Sequence, residues 1–366
     1  MSTIAIDARE LRQSTGRYVE RLIHYLQQID TEHDYVILLK PDDMDTWQPT
    51  NPRFKKVACP HKEFTFAEQL GFKKQLNQLK PDLVHFASVQ QPIWYRRPVV
   101  TTMQDLTTVR FRNPTKNYIV FSLKREVYKW VNRRAARKSR LLITPTQYVK
   151  DDVVGFTRVS PDKITVTHEA VDDFDEAPAP VPGFEGKRYI MYNGRPLPHK
   201  NLRRLIEAFA ILAPKYPDLH LMLAGKKNAL QDSYVELATK LGVGDRVVLT
   251  DWITDGQLKW AMQHAVAYIW PSLSEGFGLP PLEAMLNGTP VVSSNATCMP
   301  EVLGEAAYYF DPLSSEDMAA KIGEVVEDPI LREELVDKGR QQIQKYSWQR
   351  MAEQTLDVYR RALGEK

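Results

Sequence analysis

Short runs of consecutive apolar residues alternate along the chain with stretches in which apolar residues return every three or four positions. The first kind predicts buried strands and the second predicts amphipathic helices. Thr3 to Ile6, Tyr35 to Leu39, Leu83 to Phe86, Val99 to Thr102 and Leu141 to Thr144 read as strands. Arg17 to Ile29, Ala67 to Leu79, Tyr118 to Lys138 and Gln147 to Phe156 read as helices between them. The pattern breaks in the acid- and proline-rich stretch Asp172 to Gly183, and resumes after it. There Tyr189 to Tyr192, His220 to Ala224, Val247 to Thr250, Ala267 to Trp270, Thr289 to Ser293 and Ala307 to Phe310 read as strands. Leu202 to Leu212, Ser233 to Leu241, Asp255 to Met262, Pro281 to Leu286, Ser315 to Val326 and Ile330 to Tyr346 read as helices, and Trp348 to Leu363 as a last helix with no strand after it. Strand–helix alternation of this kind predicts an α/β protein with two parallel, doubly wound sheets. The expected organisation is a domain over 1–171, a linker over 172–187, a second domain over 188–346, and a helix over 347–366 that packs back on the first domain.

Composition agrees with two globular domains. The chain has 366 residues, 43% of them apolar and 26% charged. Cys59 and Cys298 stand far apart, without the pairing or His/Cys clustering that a disulfide framework or a zinc site needs. No stretch has the length of apolar sequence that crosses a bilayer, and the first residues lack the basic-then-apolar order of a secretion signal. A cytoplasmic location is the expectation.

The net charge of +3 hides an asymmetry: 28 Lys/Arg against 21 Asp/Glu up to residue 175, and 21 against 25 beyond it. Much of the excess falls in residues 116–140, where Lys116, Lys124, Arg125, Lys129, Arg133, Arg134, Arg137, Lys138 and Arg140 face a single acid, Glu126. Tyr118, Phe121, Val127, Tyr128, Trp130 and Val131 are interleaved with them. Two readings stay open: a solvated basic face, or an amphipathic helix resting peripherally on anionic lipid at the inner face of the membrane. No nucleic-acid recognition module accompanies the patch.

Doubly wound sheets bind ligands at the carboxyl ends of their strands, so the loops there are the places to search. After Trp270 the chain runs Pro271-Ser272-Leu273-Ser274-Glu275-Gly276-Phe277-Gly278-Leu279-Pro280-Pro281-Leu282-Glu283. Prolines suit a first helical turn, so Glu275 precedes a helix N-terminus and Glu283 lies one turn inside it. Two carboxylates around a glycine-rich turn suit hydrogen bonds to sugar hydroxyls and to a vicinal diol. The backbone N–H groups of Phe277, Gly278 and Leu279 suit a polar ligand there. The plainer alternative is that the two glutamates complement a helix dipole.

After Tyr192 the chain runs Asn193-Gly194-Arg195-Pro196-Leu197-Pro198-His199-Lys200-Asn201, with Asn201 placed to cap the next helix. Arg195 and Lys200 there suit a diphosphate, the one through a planar fork and the other as a compact charge; two solvated cations are the alternative. Gly16, at the start of the first helix, permits close approach of a phosphate, and Gln104-Asp105 ends a strand. The chain has no Gly-x-Ser-x-Gly elbow, P-loop, His-Glu-x-x-His or Gly-x-Gly-x-x-Gly, which removes support from serine hydrolase, NTPase, zinc protease and dehydrogenase readings. Asp43-Met44-Asp45 and Asp173-Phe174-Asp175 lie outside strand-end loops, so neither is read as a metal grip.

The run from Pro271 through Glu275-Gly276-Phe277-Gly278-Leu279-Pro280 to Glu283-Ala284-Met285, then Gly288-Thr289-Pro290-Val291-Val292 and Met299-Pro300-Glu301-Val302, resembles the retaining glycosyltransferases of family 4. Gly194-Arg195 with Lys200-Asn201 fits the same family. The start Ile6-Asp7-Ala8-Arg9 with Gly16-Arg17-Tyr18 resembles its bacterial polysaccharide mannosyltransferase-like members. The resemblance implies a GT-B fold, with two Rossmann-like domains facing across a cleft, the first on the acceptor side and the second binding the donor. It implies that Arg195 and Lys200 hold the donor diphosphate, that Glu275 contacts the donor sugar and that Glu283 holds the ribose diol. Arg195, Lys200 and Glu275 would carry catalysis. Gly16, Gln104, Asp105, Gly276, Phe277, Gly278 and Leu279 would complete the donor site. It implies no cofactor and no metal, with a GDP- or UDP-linked hexose, mannose among the candidates, as co-substrate and a glycan or lipid-linked acceptor. The chain departs from the family at Gln104, where a histidine that contacts the transferred sugar is usual, and in having one glycine in its first loop where many members have more. The alternatives kept beside this are a nucleotide-sugar epimerase or phosphorylase on the same fold, and a non-catalytic nucleotide-sugar-binding protein.

Overall fold

A computed structural model describes residues 1–365 except 13–14, 64, 112–117 and 227–229, and describes only the backbone of 118–120. Lys116 and the loop positions Gln13 and Ser14 lie outside the described residues. The chain separates into two compact units, Met1–Val109 with Ser122–Glu169 and Ser347–Lys366, and Arg110–Phe121 with Ala170–Tyr346.

The first unit is built on β1 (Thr3–Asp7), α1 (Gly16–Ile29), β2 (Asp34–Leu39), β3 (Phe54–Ala58), α2 (Lys73–Leu79), β4 (Leu83–Phe86) and β5 (Val99–Thr102). It continues through α3 (Thr107–Arg110), α4 (Tyr118–Lys138), β6 (Leu141–Thr144), α5 (Gln147–Thr157) and β7 (Ile164–Val166). Its seven strands lie in the order β3-β2-β1-β4-β5-β6-β7, every pair parallel. A parallel sheet is covered on both faces, which is why Ile4, Ala5 and Ile6 form an unbroken apolar run and Leu83, Val84 and Phe86 of β4 flank a single polar residue, His85, all of them fully buried. α1 turns Tyr18, Val19, Leu22, Ile23 and Leu26 onto the sheet. The helix expected over 67–79 opens instead as a wide π turn, Glu68–Phe72, before tightening into α2. Both ends of that turn hold the buried Arg9: the Glu68 carboxylate at 2.9 Å and the Phe72 ring at 4.3 Å.

The second unit comprises β8 (Arg188–Asn193), α6 (Leu202–Leu212), β9 (Leu219–Ala224), α7 (Gln231–Lys240), β10 (Val247–Asp251), α8 (Asp255–His264), β11 (Ala267–Trp270) and α9 (Leu279–Leu286). Then come β12 (Val291–Ser294), α10 (Met299–Leu303), β13 (Ala307–Phe310), α11 (Ser315–Glu327) and α12 (Pro329–Ile343). The strand order is β10-β9-β8-β11-β12-β13, all parallel. The winding direction reverses between β8 and β11, and the crevice outside the carboxyl ends at such a reversal is where doubly wound sheets bind ligands.

The stretch read as a linker contains no helix or strand, yet it is fastened to the second unit. Phe174, Val181 and Phe184 are buried, the Gly256 N–H donates to Glu176 Oε2 at 2.9 Å, and Lys259 meets Asp173 at 2.6 Å. The last helix, α13 (Trp348–Leu363), completes the first unit. It lies along α1 and over β4, β5 and β6. Among its buried side chains Tyr359 reaches His85 of β4, with its hydroxyl 2.6 Å from Nδ1. His85 Nε2 lies 2.8 Å from Thr102 Oγ1, and the same oxygen lies 2.8 Å from the Tyr18 hydroxyl. Burial pushes the His85 pKa down to about 3, so the ring is neutral and bridges the two hydroxyls with one donor and one acceptor.

Candidate functional site

The loops that leave β8 and β11, the two strands at the reversal, are laced together. β8 ends at Asn193 and is followed by Gly194, whose positive φ of 143° favours glycine and where a side-chain carbon would meet the Tyr192 hydroxyl at 2.7 Å. Arg195 follows with an exposed side chain whose guanidinium has no hydrogen-bond or ion-pair partner among the described residues. A 3₁₀ turn, Pro198–Lys200, then carries the chain to Asn201. Asn201 is the N-cap residue of α6, as expected, but it makes no side-chain capping bond. The residue sits in the left-handed region (φ 60°), and its side chain accepts from no α6 backbone N–H. Its Nδ2 donates instead to the carbonyls of Pro271, at 3.0 Å, and Pro312, at 2.8 Å. Its Oδ1 accepts from the Arg204 guanidinium of α6 at 3.1 Å, so Asn201 joins three strand-end loops while touching the helix it precedes. The His199 carbonyl adds a bond from the Leu273 N–H at 2.7 Å.

This lacing brings Lys200 to Glu275. Lys200 Nζ is 2.6 Å from Glu275 Oε1, with both side chains largely withdrawn from water (15% and 12% exposed), and it stands 4.7 Å above the Trp270 ring. Trp270 is stacked in turn on Tyr192 and Tyr268. Glu275 is held from behind: its N–H donates to Thr297 Oγ1 at 3.2 Å, and the buried Cys298 thiol donates to its carbonyl at 3.4 Å. Burial, aided by Lys200, pushes the His199 pKa down to about 4, so its imidazole is uncharged at neutral pH and does not compete with Lys200 for Glu275.

α9 begins at Leu279, with Pro280 and Pro281 in its first turn, where a missing N–H costs nothing. Gly278 precedes it at φ 91°, and a side-chain carbon there would lie 2.6 Å from Met299 Cε. Phe277 is buried edge-on against Tyr346, and Glu283 is buried one turn into α9. The structure therefore joins Lys200 directly to Glu275 and sets Arg195 on the same strand-end loop as Lys200. It places Gly276, Phe277, Gly278 and Leu279 at the start of α9.

In the first unit, Gly16 has an internal reason to be glycine: an added side-chain carbon would fall 1.9 Å from the Leu11 carbonyl oxygen. Asp105 Oδ1 accepts from the Thr107 N–H at 2.9 Å, at the start of α3. Gln104 follows β5 beside Glu169, a residue to which the sequence reading gave no role. Glu169 stands just after β7, a strand that reading did not find. A carboxylate at a strand end was the signal that would have exposed it.

Residues 15–173 match the family described as Glycosyltransferase Family 4, and residues 173–342 match Glycosyl transferases group 1. The O-antigen chain mannosyltransferase B of Escherichia coli is 29% identical over 234 residues, 61% of each chain. The MMP alpha-(1->4)-mannosyltransferase of Mycolicibacterium hassiacum is 32% identical over 238 residues, 64% of this chain and 57% of that one. The matched regions thus span about three fifths of these relatives' lengths. Among solved structures, a sucrose-phosphate synthase from Thermosynechococcus elongatus superposes with a TM-score of 0.79 at 18% identity over all of both chains. Anabaena HepE, in complex with UDP and glucose, superposes at 0.74 with 18% identity over 98% of this chain and 99% of that one. These likenesses give the fold as GT-B.

Proposed function

We propose that this chain, whose first half matches Glycosyltransferase Family 4 and whose second half matches Glycosyl transferases group 1, moves a hexose from a nucleotide diphosphate sugar to a glycan or lipid-linked acceptor. The mannosyltransferases among its relatives make mannose the leading donor sugar. The observation that carries the reading is the Lys200–Glu275 pair, held at the winding reversal of the second sheet on loops that include the exposed Arg195. Two cations at such a place suit a diphosphate, and a carboxylate beside them suits the hydroxyls of the attached sugar.

In the reaction the bond from the anomeric carbon to the diphosphate oxygen breaks and the bond to the acceptor oxygen forms. The acceptor's proton leaves with the diphosphate. Arg195 and Lys200 stabilise the charge that develops on the departing diphosphate, which is the usual source of the largest catalytic effect. Because fixed cations supply that charge, the reading includes catalysis without a metal and, from the family resemblance, retention of configuration. Glu275 orients the sugar, Glu283 takes the ribose diol, and Gly16, Gln104, Asp105 and the backbone from Gly276 to Leu279 complete the donor contacts. Release of nucleotide from GDP-mannose and UDP-glucose with chelator present tests the reading, using oligomannoside and lipid-linked acceptors. Arg195→Ala and Lys200→Ala should abolish release, and undiminished turnover in both would refute it.

A second observation bears on where the chain works. Leu123, Val127 and Trp130 of α4 share one helical face and are 67%, 60% and 50% exposed. Next to them lies a hollow of about 420 Å³ lined by Trp130, Arg133, Arg134, Arg137 and Glu126. Apolar side chains ringed by arginines suit insertion among anionic lipid head groups. Among the described residues no helix is long and apolar enough to cross a membrane. Anionic vesicles should retain the protein at low salt and release it at high salt, while neutral vesicles should not retain it. Equal recovery in solution with both would favour a solvated face.

A further inference from the structure

Thr297 stands where a glycine would be at ease. It lies in the turn between β12 and α10 with φ 55°, in the left-handed region that is most costly for a β-branched residue. The other described residues besides glycine with such an angle are Lys80, Arg158, Asn201 and Asp251, none of them β-branched. Lys80 and Arg158 close helices, where a left-handed residue is common. Thr297 closes no helix; it precedes Cys298, the residue that opens α10. Strain kept at a position that glycine would relieve points to something the side chain does.

That side chain faces the loop of Glu275. Thr297 Oγ1 accepts the Glu275 N–H at 3.2 Å. The buried Cys298 thiol lies 3.4 Å from the Glu275 carbonyl and 3.6 Å from that of Phe277. Ser294, which ends β12, donates from Oγ to the Ser272 carbonyl at 2.6 Å. β12 is the neighbour of β11 in the sheet, so the two connections leave it side by side. Three side chains of one connection thus hold the main chain of the other at 272, 275 and 277. Both polar groups of the Glu275 backbone are taken up in this way, and its carboxylate reaches forward to Lys200 at 2.6 Å. Closing the turn alone does not call for a threonine, because glycine adopts the same angle without strain. The hydroxyl is what glycine would lack.

We propose that Thr297 and Cys298 are positioning residues: the strained turn fixes the Glu275 main chain so that its carboxylate keeps one place against Lys200 and against the sugar which that pair serves. The part that concerns the sugar rests on the glycosyltransferase reading; the part that concerns Lys200 rests on the contacts alone.

The experiment compares wild type with Thr297→Gly, Thr297→Ser and Cys298→Ala. Glycine keeps the turn, relieves its strain and removes the hydroxyl, so the thermal midpoint of Thr297→Gly should stay close to that of wild type; serine keeps the hydroxyl. In transfer from GDP-mannose or UDP-glucose, kcat should fall about tenfold in Thr297→Gly and Cys298→Ala, the worth of one hydrogen bond, and return in Thr297→Ser. GDP and UDP carry no sugar and should bind all four proteins alike in calorimetric titration. A second readout needs no turnover. Labelling of the Lys200 amine by acetic anhydride, followed by mass spectrometry, should be faster in Thr297→Gly and Cys298→Ala, because a carboxylate no longer held in place shields the amine less, and should return to the wild-type rate in Thr297→Ser. Unchanged labelling overturns the proposal, as does a loss of kcat that serine fails to rescue. An equal weakening of GDP and UDP also overturns it, since that marks a general loosening of the site. If wild type transfers no sugar while the labelling follows the expected order, the turn positions Glu275 as proposed and the glycosyltransferase reading is what fails.

Discussion

Tyr359→Phe removes one oxygen from the centre of the first unit and leaves its packing volume almost intact. In the native protein that hydroxyl, 0% exposed on α13, lies 2.6 Å from His85 Nδ1. His85 passes the connection to Thr102 and Thr102 passes it to Tyr18, each at 2.8 Å. After the substitution, Nδ1 of a neutral, fully buried imidazole has nothing to pair with. Leaving one such group unsatisfied costs about 1–3 kcal/mol. For a unit of this size each kcal/mol moves the thermal midpoint by roughly 2–4 °C, so the expected shift is about 2–12 °C. Thermal unfolding by circular dichroism at neutral pH, with guanidinium titration to obtain the free energy, measures it. Hydrogen exchange supplies the local readout, because amides of α13 should lose protection before those of the second unit's sheet. A change below about 0.5 kcal/mol, the size of an ordinary surface substitution, would show that the chain of hydroxyls and imidazole does not hold α13 in place. The effect should also reach function. Tyr18 lies two residues after Gly16 and Thr102 two before Gln104, so a loosened chain relaxes both strand-end loops.

Three further outcomes follow from the contacts. Lys200→Ala should cost about 1–3 kcal/mol in denaturant titration, because it strands a mostly buried Glu275 carboxylate without its cation; Glu275→Gln with Lys200→Ala should recover part of that loss. Asn201→Ala should cost about 2–4 kcal/mol, from two lost hydrogen bonds and a left-handed backbone position. Asn201→Gly, which relieves only the backbone, should recover about 1 kcal/mol of it. Glu169→Gln should gain stability over wild type as pH rises. The folded wild type binds a proton up to about pH 7, whereas a carboxyl with the ordinary value of 4.5 has released it well before. Wild-type stability is therefore lost across that window, and the gap between the two proteins should widen by up to about 3 kcal/mol between pH 4.5 and 8. A gap independent of pH would show that Glu169 is not a buried acid. The three histidines with depressed pKa values, His61, His85 and His199, are common to both proteins and cancel in the difference.

Strands covered on both faces left the clearest trace in the sequence. Leu83–Phe86, Val99–Thr102, Leu141–Thr144 and Ala267–Trp270 are read to the residue, since a parallel strand buried on both faces is mostly apolar or β-branched. β3 escapes because it is an edge strand carrying Lys55 and Lys56, the charges that keep an edge from pairing further. β7 escapes because three residues are too few to show a period, and Glu169 went unnoticed with it. At the site, Lys200 and Glu275 are each legible as polar residues at strand ends. Their pairing is not, because 75 residues separate them and only the sheet order brings their loops together. Asn201 takes the expected place but not the expected bond. An asparagine before a helical period is a good cap by local chemistry, and the pull of Pro271 and Pro312 is invisible from one end of the chain.

The position of α13 has a consequence for synthesis. Ribosomes make the first unit's sheet early, but the helix that covers α1 and closes the Tyr18–Thr102–His85–Tyr359 connection comes only after the whole second unit. At about 5–20 residues per second, that delay is on the order of ten seconds or more. Throughout it the earliest-made sheet presents an apolar flank and an open hydrogen-bond chain, and by its end the later-made unit has all its parts. The unit begun first is finished last, and a nascent chain stalled before residue 347 would hold a sound second unit beside an uncovered first one.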